Sequence, residues 1–340
     1  MADGTRLRFG VFVPQGWRMD LVEIDDPVEQ FEAMTNVARA ADAGPWDSVW
    51  VYDHFHTVPE PTMETTFECW TISATLARDT RRVNVGQMVG CNGYRNPALY
   101  AKIASTVDVA SHGRLYAGIG AGWYEHEWRA YGFGGASTGG DATPPGGFPA
   151  VPERMRMFRE AVEVVHRMWT EDKPSFAGKH YAIDGPINEP KNAAGTPDKK
   201  VPLWIGGGGE KVTLKLVAQY GDACNIGGDL DTVRHKLDVL KGHCETVGRD
   251  YGEIVKSMSF NVHLVGQNDD PEVATEKARG TVPYDEYGKS FHVGTAAEIT
   301  ERIRPFIEAG IDYVIVYIPR VAYDHAPMEQ FAAEVIPQLG

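Results

Sequence analysis

Residues 83–122 begin with Val83-Asn84-Val85-Gly86-Gln87-Met88-Val89 and turn through Gly90-Cys91-Asn92-Gly93-Tyr94-Arg95-Asn96. Pro97 then opens an apolar helical stretch that stops near Ser111-His112-Gly113. Arg114-Leu115-Tyr116-Ala117-Gly118-Ile119 follows and closes in Gly120-Ala121-Gly122. This reads as a strand, a helix and a second strand. Both strands are continuous apolar runs rather than alternating ones, which is the pattern of strands covered on both faces and laid parallel. Proline fits the first helical position because its missing N–H would have no intrahelical partner there.

The same rhythm extends in both directions. Upstream, residues 8–13 form an apolar strand stopped by Pro14. Asp25-Asp26-Pro27 caps a helix in which Val28, Phe31, Thr35, Ala38 and Ala41 recur at helical spacing until Gly44. A strand over 48–52 and a helix through 69–76 lead back to the opening unit. Downstream, a helix over 153–169 and a small hairpin over 176–183 precede strands over 202–205, 223–226, 256–265 and 313–317. Helices over 210–220, 231–247, 271–279 and 296–309 separate them, and a last one runs near 328–339. Eight strand-then-helix units predict an α/β fold, a single (β/α)8 TIM barrel with insertions spanning residues 1–340. A doubly wound open sheet is the runner-up. The rhythm breaks at about 132–152, where Gly134-Gly135, Gly139-Gly140, Pro144-Pro145 and Gly146-Gly147 mark a Gly/Pro-rich insertion.

Composition narrows the class. The 340 residues carry 33 basic and 47 acidic side chains, a net charge of −14, with 43% hydrophobic residues. That balance disfavours nucleic acid and anionic membranes as partners. No apolar run approaches the ~18–20 residues of a membrane span. Met1-Ala2-Asp3-Gly4-Thr5-Arg6 runs into the first strand without a secretory leader. Cys69, Cys91, Cys224 and Cys244 are widely spaced, as reduced thiols are. A cytoplasmic protein is expected.

In a barrel the chemistry sits on the loops after the strand ends. Those loops hold Pro14-Gln15-Gly16-Trp17, Asp53-His54-Phe55-His56, the turn from Gly90, then Gly120-Ala121-Gly122-Trp123-Tyr124-Glu125-His126-Glu127 and Gly206-Gly207-Gly208-Gly209. The four-glycine run leads into a helix start, a ready anion site with phosphate as its usual occupant. A tight turn is the other reading, for which two glycines would be enough. His54 and His56 form an H-x-H pair that raises a metal-dependent hydrolase. The ends of the fifth, sixth and eighth strands add no His or carboxylate, so no metal site is expected. His54 suits proton transfer at neutral pH, and His56 suits a solvent-facing role. Glu125-His126-Glu127 reads as a solvated helix start, with His126 facing the pocket as an open alternative.

Taken together, Asp53-His54-Phe55, Tyr94-Arg95-Asn96-Pro97, Asp108-Val109-Ala110-Ser111-His112-Gly113-Arg114, Gly118-Ile119-Gly120-Ala121-Gly122-Trp123 and Pro202-Leu203-Trp204-Ile205-Gly206-Gly207-Gly208-Gly209 are similar to the luciferase-like monooxygenase superfamily. Within it they resemble the branch that uses coenzyme F420. The resemblance covers nearly the whole chain and implies a barrel with the deazaflavin in its mouth, hydride transfer at C5 and a homodimer. It implies a non-prolyl cis peptide at Gln87-Met88, with Gln87, Met88 and Gly90 behind the ring. It places Asp53 on the cofactor and His54 beside the reacting carbon. Gly208, Gly209 and Lys211 would take the phosphate, and Ala121, Gly122 and His126 would line the cofactor.

Two places depart from the F420-dependent sugar-phosphate dehydrogenases of the family. Val58 stands where they carry a tryptophan and Trp123 where they carry a glutamate, so glucose 6-phosphate oxidation is not expected. Trp123, with Trp17, points to an aromatic-lined pocket for a small-molecule substrate. The 132–152 segment is either a lid over the mouth or a surface insertion. The reading is an F420-dependent oxidoreductase in which His54 assists proton transfer. An FMN-dependent monooxygenase is the alternative, followed by a metal-dependent hydrolase and a non-catalytic cofactor-binding protein.

Overall fold

A computed structural model describes residues 7–133, 147–196 and 199–340. Eight parallel strands form its centre: β1 (Arg8–Phe12), β2 (Ser48–Val51), β3 (Asn84–Gln87), β4 (Leu115–Gly120), β5 (Leu203–Gly206), β6 (Ala223–Asn225), β7 (Val255–Leu264) and β8 (Tyr313–Tyr317). Each pairs with its sequence neighbours. The ring closes through β1 and β8, with Phe9 opposite Val314. The open sheet is thereby excluded in favour of the (β/α)8 barrel.

The helices that cover the strands include α1 (Pro27–Ala43), α2 (Cys69–Asp79), α3 (Pro97–Ala110), α4 (Glu125–Ala130), α5 (Val151–Thr170), α6 (Thr213–Tyr220) and α7 (Leu230–Val247). The cap read from the sequence is present on α1, where the Asp26 carboxylate accepts from the N–H groups of Val28 and Glu29. The small hairpin is present as Ser175–Ala177 paired with Ala182–Asp184. Residues 134–146, most of the expected insertion, lie outside the described residues, and so does the question of a lid.

Two helix starts differ from expectation. Helix α5 begins at Val151, because Pro152 is tolerated in a first turn. Helix α6 begins at Thr213 rather than 210. Gly207 holds φ +109°, and Val212 at the N-cap offers no side-chain acceptor to start the helix earlier.

The barrel interior is aromatic. Trp50, Trp204 and Tyr313 meet near its axis, with the Trp50 and Trp204 rings 4.8 Å apart. Glycines make that possible: a Cβ on Gly10 or Gly86 would lie 2.3 Å from Trp50. The polar end of Tyr313 is satisfied below by Ser48 and Asp47. Outside the strands, Val, Leu and Ile side chains of both layers form the larger core. All four cysteines are buried and unpaired. Among the described residues no helix is long and apolar enough to cross a membrane.

Candidate active site at the barrel mouth

The loop after β2 is fixed from below before it reaches the mouth. Gln15 donates to the carbonyls of Tyr52 (2.8 Å) and Phe67 (2.6 Å) and accepts from Tyr52 N–H (2.7 Å). Asp53 is 1% exposed. Its carboxylate accepts from Cys91 N–H at 2.7 Å and from both arms of Arg95 at 2.6 and 3.0 Å. Arg95 also binds Glu68. Asp53 was expected on the cofactor. Instead its oxygens are committed to this ion pair, and it braces the Gly90–Cys91 segment from behind.

His54 turns the other way, towards the mouth. Its Nδ1 lies 2.9 Å from Glu127 Oε2. The same carboxylate accepts from Tyr94 hydroxyl (2.6 Å) and from the N–H groups of Phe55 (2.7 Å) and His56 (2.9 Å). Burial alone would raise the Glu127 carboxyl. The hydrogen bonds from His54, Tyr94 and His56 outweigh it and hold the group below the usual carboxylate range. An ionised carboxylate only accepts, so it selects the tautomer with the proton on Nδ1 and leaves Nε2 as the free ring nitrogen. The His54 side chain keeps 11% of its surface open. Trp17 stacks on the ring (4.4 Å, 4°), while Trp123 and Tyr124 meet it edge-on at 5.5 and 5.7 Å.

His56 diverges from His54. Its ring lies 5.0 Å from that of His126 and 5.5 Å from that of Tyr131. His126 is exposed on the outer rim. Its expected place in the cofactor lining is not where the structure puts it, because α4 turns its buried face, Glu127 and Trp128, inward. Glu127, expected on a solvated helix start, is instead fully buried beneath the mouth.

A wall with little side-chain relief follows at the end of β3, beside the loop that carries Asp53 and His54. Strand β3 ends at Gln87. The cis peptide follows at Met88–Val89, one residue beyond the expected Gln87-Met88. Ladder pairing explains the offset: Gln87 still pairs with Val51, and Met88 N–H still donates to Val51 O (2.8 Å). The Gln87 side chain points outward to Ser73 on α2 (2.9 Å), away from the mouth. Met88 packs against the interior aromatic cluster. Gly90 and Cys91 rejoin the sheet against Ile119 and Gly120. A Cβ on Gly120 or Gly206 would stand 2.6 or 2.8 Å from Val89, and one on Gly122 2.5 Å from Cys91 Sγ. Gly90, Ala121 and Gly122 therefore border this wall, and Trp123 stands on its rim, 60% exposed.

From Gly206 the wall continues into the glycine run. The N–H groups of residues 208–212 find no acceptor among the described residues. Lys211, expected to take the phosphate, is exposed. The cation at the loop is Lys236 of α7, whose Nζ would lie 2.1 Å from a Cβ on Gly208. Bare N–H groups, a glycine cradle and a lysine without a carboxylate partner among the described residues fit a phosphate.

Asp20 adds a pH dependence. Burial pushes its carboxyl up to about 6, although Gly16 N–H donates to it at 2.7 Å. A carboxyl raised on folding destabilises the protein where it is ionised. The penalty is absent below about pH 4, grows as pH rises to 6 and is complete above that. Asp20→Asn is expected to raise stability at pH 7.5, by at most about 3 kcal/mol, and to leave it unchanged at pH 4. Denaturant titrations at the two pH values decide it, and an equal effect at both would refute it.

Three comparisons place this architecture. The model for the luciferase-like monooxygenase family matches residues 7–305. The F420-dependent glucose-6-phosphate dehydrogenase of Amycolatopsis mediterranei is 25% identical, over 92% of this chain and 96% of its own. That of Tsukamurella paurometabola is 29% identical, over 80% and 76%. Among solved structures, an F420-dependent secondary alcohol dehydrogenase with an F420–acetone adduct superposes with a TM-score of 0.75. It has 23% identity and covers 98% of this chain and 99% of that one. A monooxygenase of Streptomyces bottropensis reaches 0.76 at 18% identity, over 98% and 100%. At those identities the structural likenesses speak for the fold.

Proposed function

The chain belongs to the luciferase-like monooxygenase family, and from that premise we propose that it is an F420-dependent oxidoreductase acting on a small organic substrate. The curated relatives named above use that coenzyme. The residues of the mouth fit it: a wall of Val89 and glycines for a flat ring, and the 206–209 run with Lys236 for a phosphate. When bound, the deazaflavin supplies a two-electron hydride carrier at C5.

The chain supplies placement and a proton path. The observation that carries the reading is the His54–Glu127 pair at 2.9 Å. Glu127 fixes the imidazole so that Nε2 is the acceptor. Nε2 takes the proton of a substrate hydroxyl, or returns it to the carbonyl oxygen in the reverse direction. Trp17 and Trp123 hold the ring in place and keep the site apolar. Asp53 and Arg95 brace the Gly90–Cys91 segment from behind. Gly208 and Gly209 offer backbone N–H groups to the phosphate.

A binding titration of the full chain with F420 and with FMN tests the reading. Saturable F420 binding, tighter than that of FMN, is expected. Tight binding of reduced FMN with none of F420 would replace this reading by a flavin monooxygenase. Lys236→Ala is expected to weaken F420 about five- to tenfold at low salt, and less at high salt where the charge is screened. Unchanged affinity would remove Lys236 from the phosphate site.

A further inference from the structure

A second cation stands in the mouth, on the side of Trp17 that His54 does not explain. Arg18 lies in the loop after β1, among residues from the ends of β2, β7 and β8. Its guanidinium carbon sits 4.1 Å over the Tyr317 ring, 5.7 Å from that of Trp17 and 5.8 Å from that of Tyr52. Nη1 donates to Asn261 Oδ1 at 2.9 Å, and Asn261 is itself held by its donation to Ser290 O (2.9 Å). The fork is thus fixed by an amide and three aromatic faces.

Its charge has no ion-pair partner. Among the described residues no carboxylate lies within 4.0 Å of Arg18. The nearest acid that acts on it, Asp20, spends Oδ1 on Gly16 N–H. Two other half-buried arginines are fully engaged: Arg95 by Asp53 and Glu68, Arg114 by the carbonyls of Ala77, Val83 and Ser111. A guanidinium has five N–H donors, and among the described residues only Nη1 of Arg18 has an acceptor, which leaves the rest of the fork open to a ligand. A structure that fixes it this way holds it ready for a planar oxyanion, which an arginine fork binds bidentately.

The charge count selects the anion. Arg320 and Lys277 share one carboxylate, Glu23, and Asp20 acts on Arg18, so these three cations against two carboxylates leave a net charge of +1. Lys236, on α7, belongs to the glycine loop. A single net positive charge fits a monoanionic carboxylate better than a phosphate dianion. Trp17 joins the two halves of the mouth, since its ring stacks on His54 at 4.4 Å and also borders Arg18. We propose that Arg18 anchors a carboxylate of the substrate, and that the enzyme acts on carboxylate-bearing molecules whose apolar body lies along Trp17 towards His54.

The substrate assignment rests on the F420-dependent reading, but the anion site can be tested without it. The probes are cinnamate and its uncharged analogue cinnamamide, titrated into the full chain with and without F420 and followed by tryptophan fluorescence. Cinnamate is expected to bind at least about tenfold tighter than cinnamamide. Arg18→Gln is expected to abolish the preference, and Arg18→Lys to retain part of it. Equal binding of the two probes, no binding of cinnamate at millimolar concentration, or a preference that survives Arg18→Gln would overturn the proposal. If Arg18→Gln does not fold, the two probes on the unaltered chain decide alone. F420 affinity, read from the coenzyme's own fluorescence, is expected to be unchanged in Arg18→Gln. If F420 does not bind while the carboxylate preference holds, the coenzyme reading fails and the anion site stands.

Discussion

Replacing His54 by alanine is expected to lower kcat about 10²–10⁴-fold, the range for removal of a positioned general acid or base, with F420 affinity essentially unchanged. The ring is held on one face by Trp17 and at one edge by Glu127, so its free nitrogen has one direction to face. The glycine loop and Lys236, on β5 and α7, share no hydrogen bond with it, so coenzyme binding has no reason to change. The variant leaves a gap against Trp17 and deprives Glu127 of one of four donors, so a thermal melt has to accompany the kinetics. The measurement is turnover of an alcohol or carbonyl substrate followed at the coenzyme's absorbance, across pH. Turnover within about threefold of wild type at every pH would take His54 out of the chemistry.

Reading the sequence reached the barrel because parallel strands buried on both faces leave continuous apolar runs, and each of the eight stands clear between helices. It also reached His54 and the glycine loop, since both sit where a strand gives way to a polar or glycine-rich turn. Other features of the site were hidden for specific reasons. Glu127 looks like an acid favourable to a helix N-terminus, and a solvated glutamate there has the same sequence. Only the approach of residues 54–56 and of Tyr94, all more than thirty positions away, gives it four donors. The neighbouring Trp128, an apolar residue that needs cover, was the one local sign that this face of α4 turns in. Lys236 sits in a helix rich in charges, and nothing in its spacing singles it out from Lys211. Asp53 was legible as a mouth residue but not as a brace, because its partner Arg95 comes from beyond the next strand. Arg18 shows the same limit: an arginine after a strand is ordinary until the structure reveals what it lacks.

Glu127 gives the second large effect, and two substitutions separate its two roles. Its carboxylate satisfies two backbone N–H groups, the Tyr94 hydroxyl and His54, and it is fully buried. Glu127→Ala strands these donors, and the loss of one partner from a buried charged network costs about 3–5 kcal/mol. Denaturant unfolding should show that loss, and the loop after β2 should lose its amide protection with it. Glu127→Gln keeps the shape and one carbonyl oxygen, which can still accept from Phe55 and His56. Its stability should therefore fall by no more than about 1 kcal/mol. Its amide nitrogen, however, faces Tyr94 and His54 as a donor. His54 Nδ1 must then accept, the ring proton moves to Nε2, and the nitrogen facing the substrate is no longer a base. A wrong tautomer of this kind is expected to cost about 10²–10⁴ in kcat with little change in KM. A purely structural Glu127 would show the reverse: activity falling only in proportion to the folded fraction, and a glutamine variant close to wild type. The separation of kcat from stability in Glu127→Gln therefore tests whether the carboxylate sets the imidazole or only supports the loop.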